Sequence, residues 1–298
     1  MKARSIVNGL PPWTLAVAAM LAVQLANALS VSVVGQAGAG GTAWLRMSFG
    51  VIILWIIARP NFRSIRKQDI PALIVLGVVT GYMTLLFLEA IDRIPLGTAV
   101  SIEFLGPLTV AGIMSKNRKA LVWPALAIVG VVLLTEPWQG QIDPVGVVFA
   151  LSAGICWGLY NLLTQHVGDR FSGISGLSLT IPVAALATMP LGLPQLIHGE
   201  FTWWVLPAAA GIALITPVIA FGLEMLALRR MTHSAFGTLL SIEPAFGVLI
   251  GILILAQMPT WFQVLGIILV ISAGAGAQRG GQRESKNLPL TELPLEAK

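Results

Sequence analysis

The sequence predicts an all-α integral membrane protein whose ten transmembrane helices form a 5+5 inverted-topology repeat. Of the 298 residues, 56% are hydrophobic and only 10% are charged, whereas an ordinary soluble domain has about 25% charged residues. Apolar runs long enough to cross a hydrocarbon core of about 30 Å recur along the chain. A Gly-Thr-x-x-Ser-Ile-Glu pattern also occurs twice, at residues 97–103 and 237–243. This recurrence indicates an internal repeat.

The predicted spans are the apolar runs that end at charged residues, Gly or Pro. They cover residues 12–34, 42–58, 71–91, 96–114, 120–136, 144–165, 174–193, 203–226, 235–256 and 260–278. The two repeats are therefore expected at residues 1–138 and 139–278. The remaining segment, 279–298, is rich in Gly, Gln and charge and is predicted to be a disordered cytoplasmic tail.

The distribution of basic residues predicts how the helices are oriented. A cytoplasmic N-terminus places 16 of the 18 Lys and Arg residues on the cytoplasmic side; the exceptions are Arg46 in the second span and Arg93 in an outer loop. This pattern follows the positive-inside rule, so the net charge of +5 indicates topology and no nucleic-acid partner. Because each repeat has an odd number of spans, the second repeat enters from the opposite face, as in many secondary transporters. Both termini are expected in the cytoplasm.

The first two spans each contain a candidate polar residue. The first span follows basic residues, as a signal peptide does, but its apolar run exceeds the usual hydrophobic region of about 7 to 15 residues, and we interpret it as a span carrying Asn27. The second span carries Arg46 about one turn from its outer end. Arg46 is predicted either to snorkel outward, with Trp44 at the interface, or to face an internal site.

The third span contains Tyr82 and ends near Glu89, which lies four residues before Arg93. This spacing predicts an ion pair on the helix surface. In the eighth span, Glu224 lies close to two arginines at the cytoplasmic end. Snorkelling to the interface is the favoured interpretation of Glu224.

The fourth and ninth spans contain the two glutamates of the repeated motif, Glu103 and Glu243. Each lies about 12 Å from the nearer membrane edge, where an ionised acid costs about 2.5 to 3.5 kcal/mol. Each is predicted either to bind substrate or protons, or to bond backbone groups freed by Pro107 or Pro244. The hydroxyl residues of the motif are further candidates, with a structural alternative in helix packing: Thr98, Ser101, Thr238 and Ser241.

The sixth span contributes three further candidates, Trp157, Tyr160 and Asn161. Asn161 occupies a position comparable to that of Asn27 in the first span. The aromatic residues are equally compatible with packing or with an interfacial belt. If Arg46 and Glu103 share a cavity, they offer complementary partners for the carboxylate and ammonium groups of a zwitterion.

No motif of nucleotide hydrolysis, acyl transfer or metal binding is visible. The sequence has no G-x-x-x-x-G-K-[ST], G-x-S-x-G or H-E-x-x-H, and its three histidines have no ligand-like spacing. We therefore expect no enzyme activity, no cofactor and no metal site. The oligomeric state is not specified by these patterns.

The sequence resembles the drug/metabolite transporter superfamily of EamA type. The resemblance lies in the paired segments "GTAVSIEFLGP" and "GTLLSIEPAF", in "WLRMSFG" and in "AGICWGLYNLL". Within that superfamily, "RIPLGTAVSIEFLGPLTVA" and "LEMLALRRMTHSAFGTLLSIEPAF" are similar to the threonine/homoserine exporter branch. The resemblance implies a bacterial inner-membrane carrier that exports small metabolites through a central cavity.

The expected function is export of small amino acids in exchange for protons, with the lipid bilayer as environment. Glu103 and Glu243 match the repeated motif of the family, whereas the seventh span lacks a counterpart of Arg46. Any role of Arg46 is therefore asymmetric. Export of another small metabolite or drug, and a membrane channel or non-transporting scaffold, are the alternatives.

Overall fold

The computed structural model describes residues 11–58, 60, 65–114, 121–168, 174–199, 201–228, 230, 236 and 239–280. Within these residues the chain is helical and contains no strand. The candidate Thr238 and the predicted tail beyond residue 280 lie outside the described residues.

The described residues form a succession of α-helices. They are α1 (Pro12–Ala58), α2 (Ile70–Ile91), α3 (Leu96–Glu103), α4 (Leu105–Met114), α5 (Val122–Thr135), α6 (Pro144–Gly168), α7 (Ile174–His198), α8 (Val205–Ala213), α9 (Ala220–Leu228), α10 (Glu243–Leu255) and α11 (Trp261–Gly280). A π-helical turn, Leu214–Ile219, connects α8 to α9.

Six helical segments of the described chain are long and apolar enough to cross a membrane. Three shorter apolar segments, Leu96–Val110, Glu243–Leu255 and Trp261–Ala277, lie within the predicted fourth, ninth and tenth spans. Membrane-spanning character is therefore confirmed for the chain as a whole. The number of ten spans stays a prediction.

Helix α1 contains both of the first two predicted spans and has one backbone break, at Gly38. Gly38 has φ 70° and ψ 164°, a conformation that a residue with a β-carbon rarely adopts. The side chain of Gln195 in α7 lies against this break, where its Oε1 accepts a hydrogen bond of 2.8 Å from the Gly41 backbone nitrogen. A backbone group near the break is thereby satisfied within the bundle.

The predicted fourth span is interrupted at Phe104, which separates α3 from α4. Pro107 has no N–H to donate to the carbonyl four residues earlier, that of Glu103. The interruption consequently leaves Glu103 as the last residue of α3.

The second interruption lies at Ser241 and Ile242, before α10. Glu243 is the first residue of α10, and Pro244 lies in its first turn, where proline is tolerated because that N–H has no intrahelical partner. Pro244 therefore starts a helix and does not break one. Glu103 ends its helix and Glu243 begins its own, although both occupy the same position in the repeated motif.

A third interruption was not predicted from the sequence. Thr216 has extended backbone angles (φ −140°, ψ 119°) within the π-helical turn, and the Thr216–Pro217 peptide bond is cis. The Thr-Pro pair in the middle of an apolar run is the sequence signal for this break. It turns the Thr216 carbonyl away from the helical hydrogen-bond ladder.

Small residues allow the helices to approach closely. Helix α1 packs on α7, α8 and α9, helix α2 packs on α6 and α7, helix α3 packs on α6 and α10, and helix α5 packs on α11.

The outer surface carries large apolar side chains, among which Trp261 is 87% exposed and Trp203 is 78% exposed. Such a surface suits contact with lipid.

Candidate functional site

Arg46 lies in the interior of the helix bundle. Only 5% of its surface is exposed, so the outward-snorkelling alternative is wrong in this structure. Its Nε donates to the Thr216 carbonyl at 3.2 Å, and its Nη1 donates to Asn27 Oδ1 at 3.3 Å. Both acceptors are neutral, and no described carboxylate forms an ion pair with Arg46. The site therefore contains a buried cation that has hydrogen bonds but no anion in contact, a costly arrangement for a folded protein alone.

Two other segments of the chain hold the Arg46 side chain in place. Asn27 and Arg46 come from the two halves of α1, and the Thr216 carbonyl comes from the irregular turn between α8 and α9. The Thr216 hydroxyl is itself buried without a hydrogen-bond partner. Thr216 thus accepts a hydrogen bond from Arg46 through its carbonyl oxygen, while its hydroxyl group forms no hydrogen bond.

Glu103 is partly buried at the end of α3. Close packing fixes its backbone: a β-carbon built on Gly154 of α6 would lie 2.6 Å from the Glu103 carbonyl oxygen. Glu103 interacts electrostatically with Glu243 and with Arg46. Its charge therefore acts on both of the other ionisable groups.

Glu243 is 6% exposed and pairs with Gln24, which is 1% exposed. Gln24 Nε2 donates to Glu243 Oε1 at 3.1 Å. Glu243 Oε2 and Gln24 Oε1 have no hydrogen-bond partner. The contact joins α1 to α10 and so connects distant parts of the chain.

Two hydrogen-bonded groups, Gln24 with Glu243 and Arg46 with Asn27 and Thr216, are related electrostatically through Glu103. We call these residues the polar cluster: Gln24, Asn27, Arg46, Glu103, Thr216 and Glu243. Gln24 and Asn27 are three residues apart and share one face of α1. The cluster contains one cation and two acids amid apolar helices, and its members come from α1, α3, the π-helical turn and α10. Such groups can bind a small molecule that carries both a positive and a negative charge.

The structure places the three described hydroxyl candidates in packed positions. Ser101 donates to the Gly97 carbonyl at 2.7 Å within its own helix, while Thr98 and Ser241 are 3% and 1% exposed. The Ser101 bond matches the structural alternative for helical hydroxyls.

The other candidates from the sequence form no described hydrogen bond with the polar cluster: Tyr82, Trp157, Tyr160 and Asn161. Trp157 packs edge-to-face on Phe104 with ring centroids 6.0 Å apart, which places it beside the helix break next to Glu103. Tyr160 packs against the apolar cluster of Leu73, Leu76 and Leu179. Tyr82 is 38% exposed, and within the described part of the chain no hydrogen bond joins Tyr82 or Asn161 to the polar cluster.

The two other glutamates in spans behave differently from each other. Glu89 accepts a hydrogen bond from Arg93 Nη1 at 2.5 Å, so the surface ion pair is confirmed. Glu224, which was expected to reach the cytoplasmic interface, interacts electrostatically with Glu243 and with Tyr160. It therefore contributes charge to the surroundings of the polar cluster.

Sequence reasoning missed Gln24 and Thr216. Gln24 lies three residues before Asn27, and its amide in the middle of a span is a signal of an internal partner. Thr216 precedes Pro217, and that dipeptide was the available sign of a broken helix.

Comparison with known proteins agrees with this architecture. The EamA-like transporter family matches residues 144–276. The threonine/homoserine exporter RhtA of Escherichia coli K12 is 34% identical over 92% of this chain and 94% of its own length. The RhtA exporter of Salmonella typhimurium SL1344 is 33% identical over 92% of this chain and 95% of its own length.

More distant proteins share the same fold or family. The pseudopaline exporter CntI of Pseudomonas aeruginosa UCBPP-PA14 is 21% identical over 87% of this chain and 93% of its own length. One solved crystal structure superposes with a TM-score of 0.60 at 16% identity, covering 89% of this chain and 96% of that one; this likeness concerns the fold alone.

The relatives and the long apolar helices together identify a multi-pass protein of the bacterial inner membrane. An identity of 34% across nearly the whole chain also exceeds what a shared fold alone requires. The chain therefore belongs to the EamA type of the drug/metabolite transporter superfamily, in the branch that contains the RhtA exporters.

Proposed function

We propose that this protein is a secondary transporter that exports small amino acids of the threonine or homoserine type in exchange for protons. The similarity to exporters of that substrate class over nearly the whole chain supports the proposal. Export of another small metabolite is the second candidate, favoured by the more distant similarity to the pseudopaline exporter.

The proposed framework is a pair of inverted five-span repeats with both termini in the cytoplasm. Four helix pairings support it: α3 with α10, α5 with α11, α1 with α8, and α2 with α6. In the proposed repeat, the fourth and fifth spans correspond to the ninth and tenth, so α3–α10 and α5–α11 each join two corresponding spans. The first and third spans correspond to the sixth and eighth, so the contact of α1 with α8 is the counterpart of the contact of α6 with α2. The family match at residues 144–276 also falls within the predicted second repeat.

The observation that carries the substrate proposal is the buried guanidinium of Arg46 with neutral partners only. A substrate carboxylate supplies the missing anion, and arginine binds carboxylates through paired N–H groups. Nε and Nη1 already bond to Thr216 and Asn27, so Nη2 is the nitrogen left for the substrate. The Thr216 hydroxyl, which has no partner, is positioned to donate a second hydrogen bond.

Glu103 is the proposed partner of the substrate ammonium group. It lies within electrostatic range of Arg46 but forms no ion pair with it among the described residues, so each charge is available to a ligand group of opposite sign. An α-amino acid carries its carboxylate and ammonium on one carbon atom, so it can bridge such a pair. An amine without a carboxylate can satisfy only Glu103.

Proton coupling is proposed to use the acids of the cluster, Glu103 and Glu243. Intramembrane acids commonly mark proton pathways. Rocking of one repeat against the other would expose the polar cluster to the two faces in turn. A proton and a substrate then cross in opposite directions.

Purified protein in liposomes tests this function directly. The vesicles are loaded with labelled threonine, homoserine, a larger zwitterionic metabolite or an amine lacking the carboxylate, and efflux is measured with and without an imposed pH gradient. We expect saturable efflux of threonine and homoserine that the pH gradient drives uphill, in contrast to protein-free vesicles.

The other outcomes separate the alternatives. Preference for the larger metabolite would replace the substrate class and leave the carrier mechanism in place. Non-saturating flux that never exceeds equilibrium would indicate a channel, and absence of flux would indicate a scaffold.

A further inference from the structure

The Gln24–Glu243 pair has a hydrogen-bond pattern that one proton would complete. Gln24 Nε2 donates to Glu243 Oε1 at 3.1 Å. The two remaining oxygens of the pair, Gln24 Oε1 and Glu243 Oε2, are both buried without a partner. The described chain has four buried side-chain atoms without a hydrogen-bond partner, and two of them belong to this one hydrogen-bonded pair.

An ionised carboxylate cannot resolve this situation. Its oxygens only accept hydrogen bonds, and Gln24 Oε1 is also an acceptor. A protonated carboxyl group has one O–H donor, so a proton on Glu243 Oε2 can be donated to Gln24 Oε1. The acid and the amide then form a ring of two hydrogen bonds, and both unpartnered oxygens are satisfied.

The surroundings of Glu243 provide little that would stabilise its negative charge. Within the described residues, Glu224 of α9 acts electrostatically on Glu243, and Glu243 acts on Glu103 of α3; both of these neighbours are acidic. Helix α1 contributes Gln24 and, as its one charged residue, Arg46, which acts on Glu103. Helix α11 has no charged residue between Trp261 and Gln278.

Among the described residues, two features favour the anion: the N-terminal position of Glu243 in α10 and the hydrogen bond that it accepts from Gln24. The amides of that first turn are already engaged, since Ala245 N and Phe246 N both donate to the Ile242 carbonyl. The Glu243 side chain makes its hydrogen bond to Gln24 instead.

We propose that Glu243 is protonated in this conformation and that Gln24 is the residue that holds its proton, through a two-bond acid–amide pair. Gln24 is thus a positioning residue for the proton-carrying acid. Its role in coupling rests on the proposed exporter function, whereas the protonation of Glu243 does not.

Glu103 and Glu243, the two glutamates of the repeated motif, then have different roles. Gln24 lies three residues before Asn27, and Gly158 lies three residues before Asn161, the corresponding residue of the second repeat. Glycine has no side chain that could accept a hydrogen bond from a protonated Glu103. Glu103 instead faces the charge of Arg46. Glu243 carries the proton, and Glu103 remains available to the ammonium group of the substrate.

Infrared spectroscopy of the full-length protein in lipid detects a protonated carboxyl group by its C=O stretching band. We expect Glu243→Gln to remove one such band at neutral pH and Glu103→Gln to retain it. In Gln24→Met the acid loses both hydrogen bonds, so its band should move to higher frequency. Gln24→Asn, which keeps the amide, should shift the band less, and Thr188→Val, which removes a buried hydroxyl bonded within α7, should leave it unchanged.

Each other result counts against the proposal. An identical spectrum for the natural protein and Glu243→Gln would show that Glu243 is ionised. A Glu243 band that does not respond to either Gln24 variant would remove Gln24 from the proton site. The comparison of two Gln24 variants keeps the test valid if one of them does not fold.

A separate measurement distinguishes failure of this inference from failure of the exporter function. Threonine binding by calorimetry should persist in Glu243→Gln, because Gln also pairs with Gln24, while the pH profile of exchange flattens. Loss of the infrared band together with an unchanged pH profile would establish the proton on Glu243 but overturn its role in coupling.

Discussion

The carbonyl oxygen of Glu103 lies directly against Gly154, so that a β-carbon on Gly154 would be 2.6 Å from it. Real β-carbons essentially never approach a backbone oxygen this closely. The end of α3, and with it the Glu103 side chain, is therefore positioned by the absence of a side chain on α6.

We predict that Gly154→Ala displaces Glu103 and weakens threonine binding. Overpacking of this kind costs about 1 to 3 kcal/mol, which should also lower the melting temperature in detergent. Gly211→Ala is the matched control, because a β-carbon there meets no atom within 4 Å and alanine favours a helix by about 1 kcal/mol over glycine. Equal behaviour of the two variants would mean that the α3–α6 contact does not position Glu103.

Arg46→Ala should impair transport of a zwitterionic amino acid more than transport of a matched amine that lacks the carboxylate. A hydrogen bond to a charged group is worth about 1.5 to 3 kcal/mol, so the zwitterion should lose about tenfold or more in affinity. Arg46→Lys keeps the charge but cannot serve Asn27, Thr216 and a carboxylate with the same geometry, and an intermediate loss is expected.

Binding of both ligands is measured at matched protein abundance in the membrane. If the amine and the zwitterion lose affinity equally, Arg46 is a structural or gating residue. The carboxylate site would then have to lie elsewhere.

Glu103→Gln and Glu243→Gln should each abolish uphill efflux while the protein remains in the membrane at normal abundance. Gln keeps the shape of Glu, but at position 243 it cannot carry a proton, and at position 103 it cannot neutralise the ammonium group of the substrate. A potential of 100 mV supplies about 2.3 kcal/mol for each charge moved, enough for about fiftyfold accumulation under one-for-one exchange. Efflux is measured in energised vesicles as a function of pH.

The pH dependence of any downhill exchange that survives in these variants should also weaken. Should both variants still accumulate substrate with an unaltered pH profile, the acids serve only the helix breaks at Phe104 and Ser241. Proton coupling would then be absent from this cluster.

The predicted topology is tested by thiol labelling in a Cys156→Ser background. A single cysteine at His198 should react with an impermeant reagent in cells whose outer membrane is permeabilised, and one at Gln68 should not, because positive-inside topology places these exposed residues on opposite faces. Labelling after cell lysis controls for reactivity. The reverse pattern would invert the assignment of faces.

The sequence predicted much of the helical architecture because the bilayer imposes it. Apolar runs of this length must become helices, since helices satisfy their backbone groups internally. The predicted spans at 71–91 and 144–165 accordingly match the helical segments Lys67–Ile91 and Pro144–Thr164. The sequence also placed Arg46 and Glu103 at comparable depth from the same membrane face. Their sharing of a cavity stays a prediction.

The helix breaks were less predictable. A proline in the sequence indicates the region in which a helix is interrupted, but not the residue at which the interruption occurs. That residue depends on which backbone carbonyl group can form a hydrogen bond outside the helix. Pro107 accompanies a break at Phe104, Pro244 begins a helix, and Pro217 lies beside the extended Thr216. These differences arise from packing by neighbouring helices, such as the approach of α6 to the Glu103 carbonyl.

The sequence by itself determined the class of protein, the family and the repeated motif with its two glutamates, since each depends on composition or on local order. Only the tertiary structure decided that Gln24 bonds Glu243 and that the Thr216 carbonyl bonds Arg46. These partners are 219 and 170 residues apart, and neutral amides and hydroxyls in spans have many available partners. Which one they take is fixed by how the helices cross, and the same crossing gives two glutamates in identical motifs different surroundings.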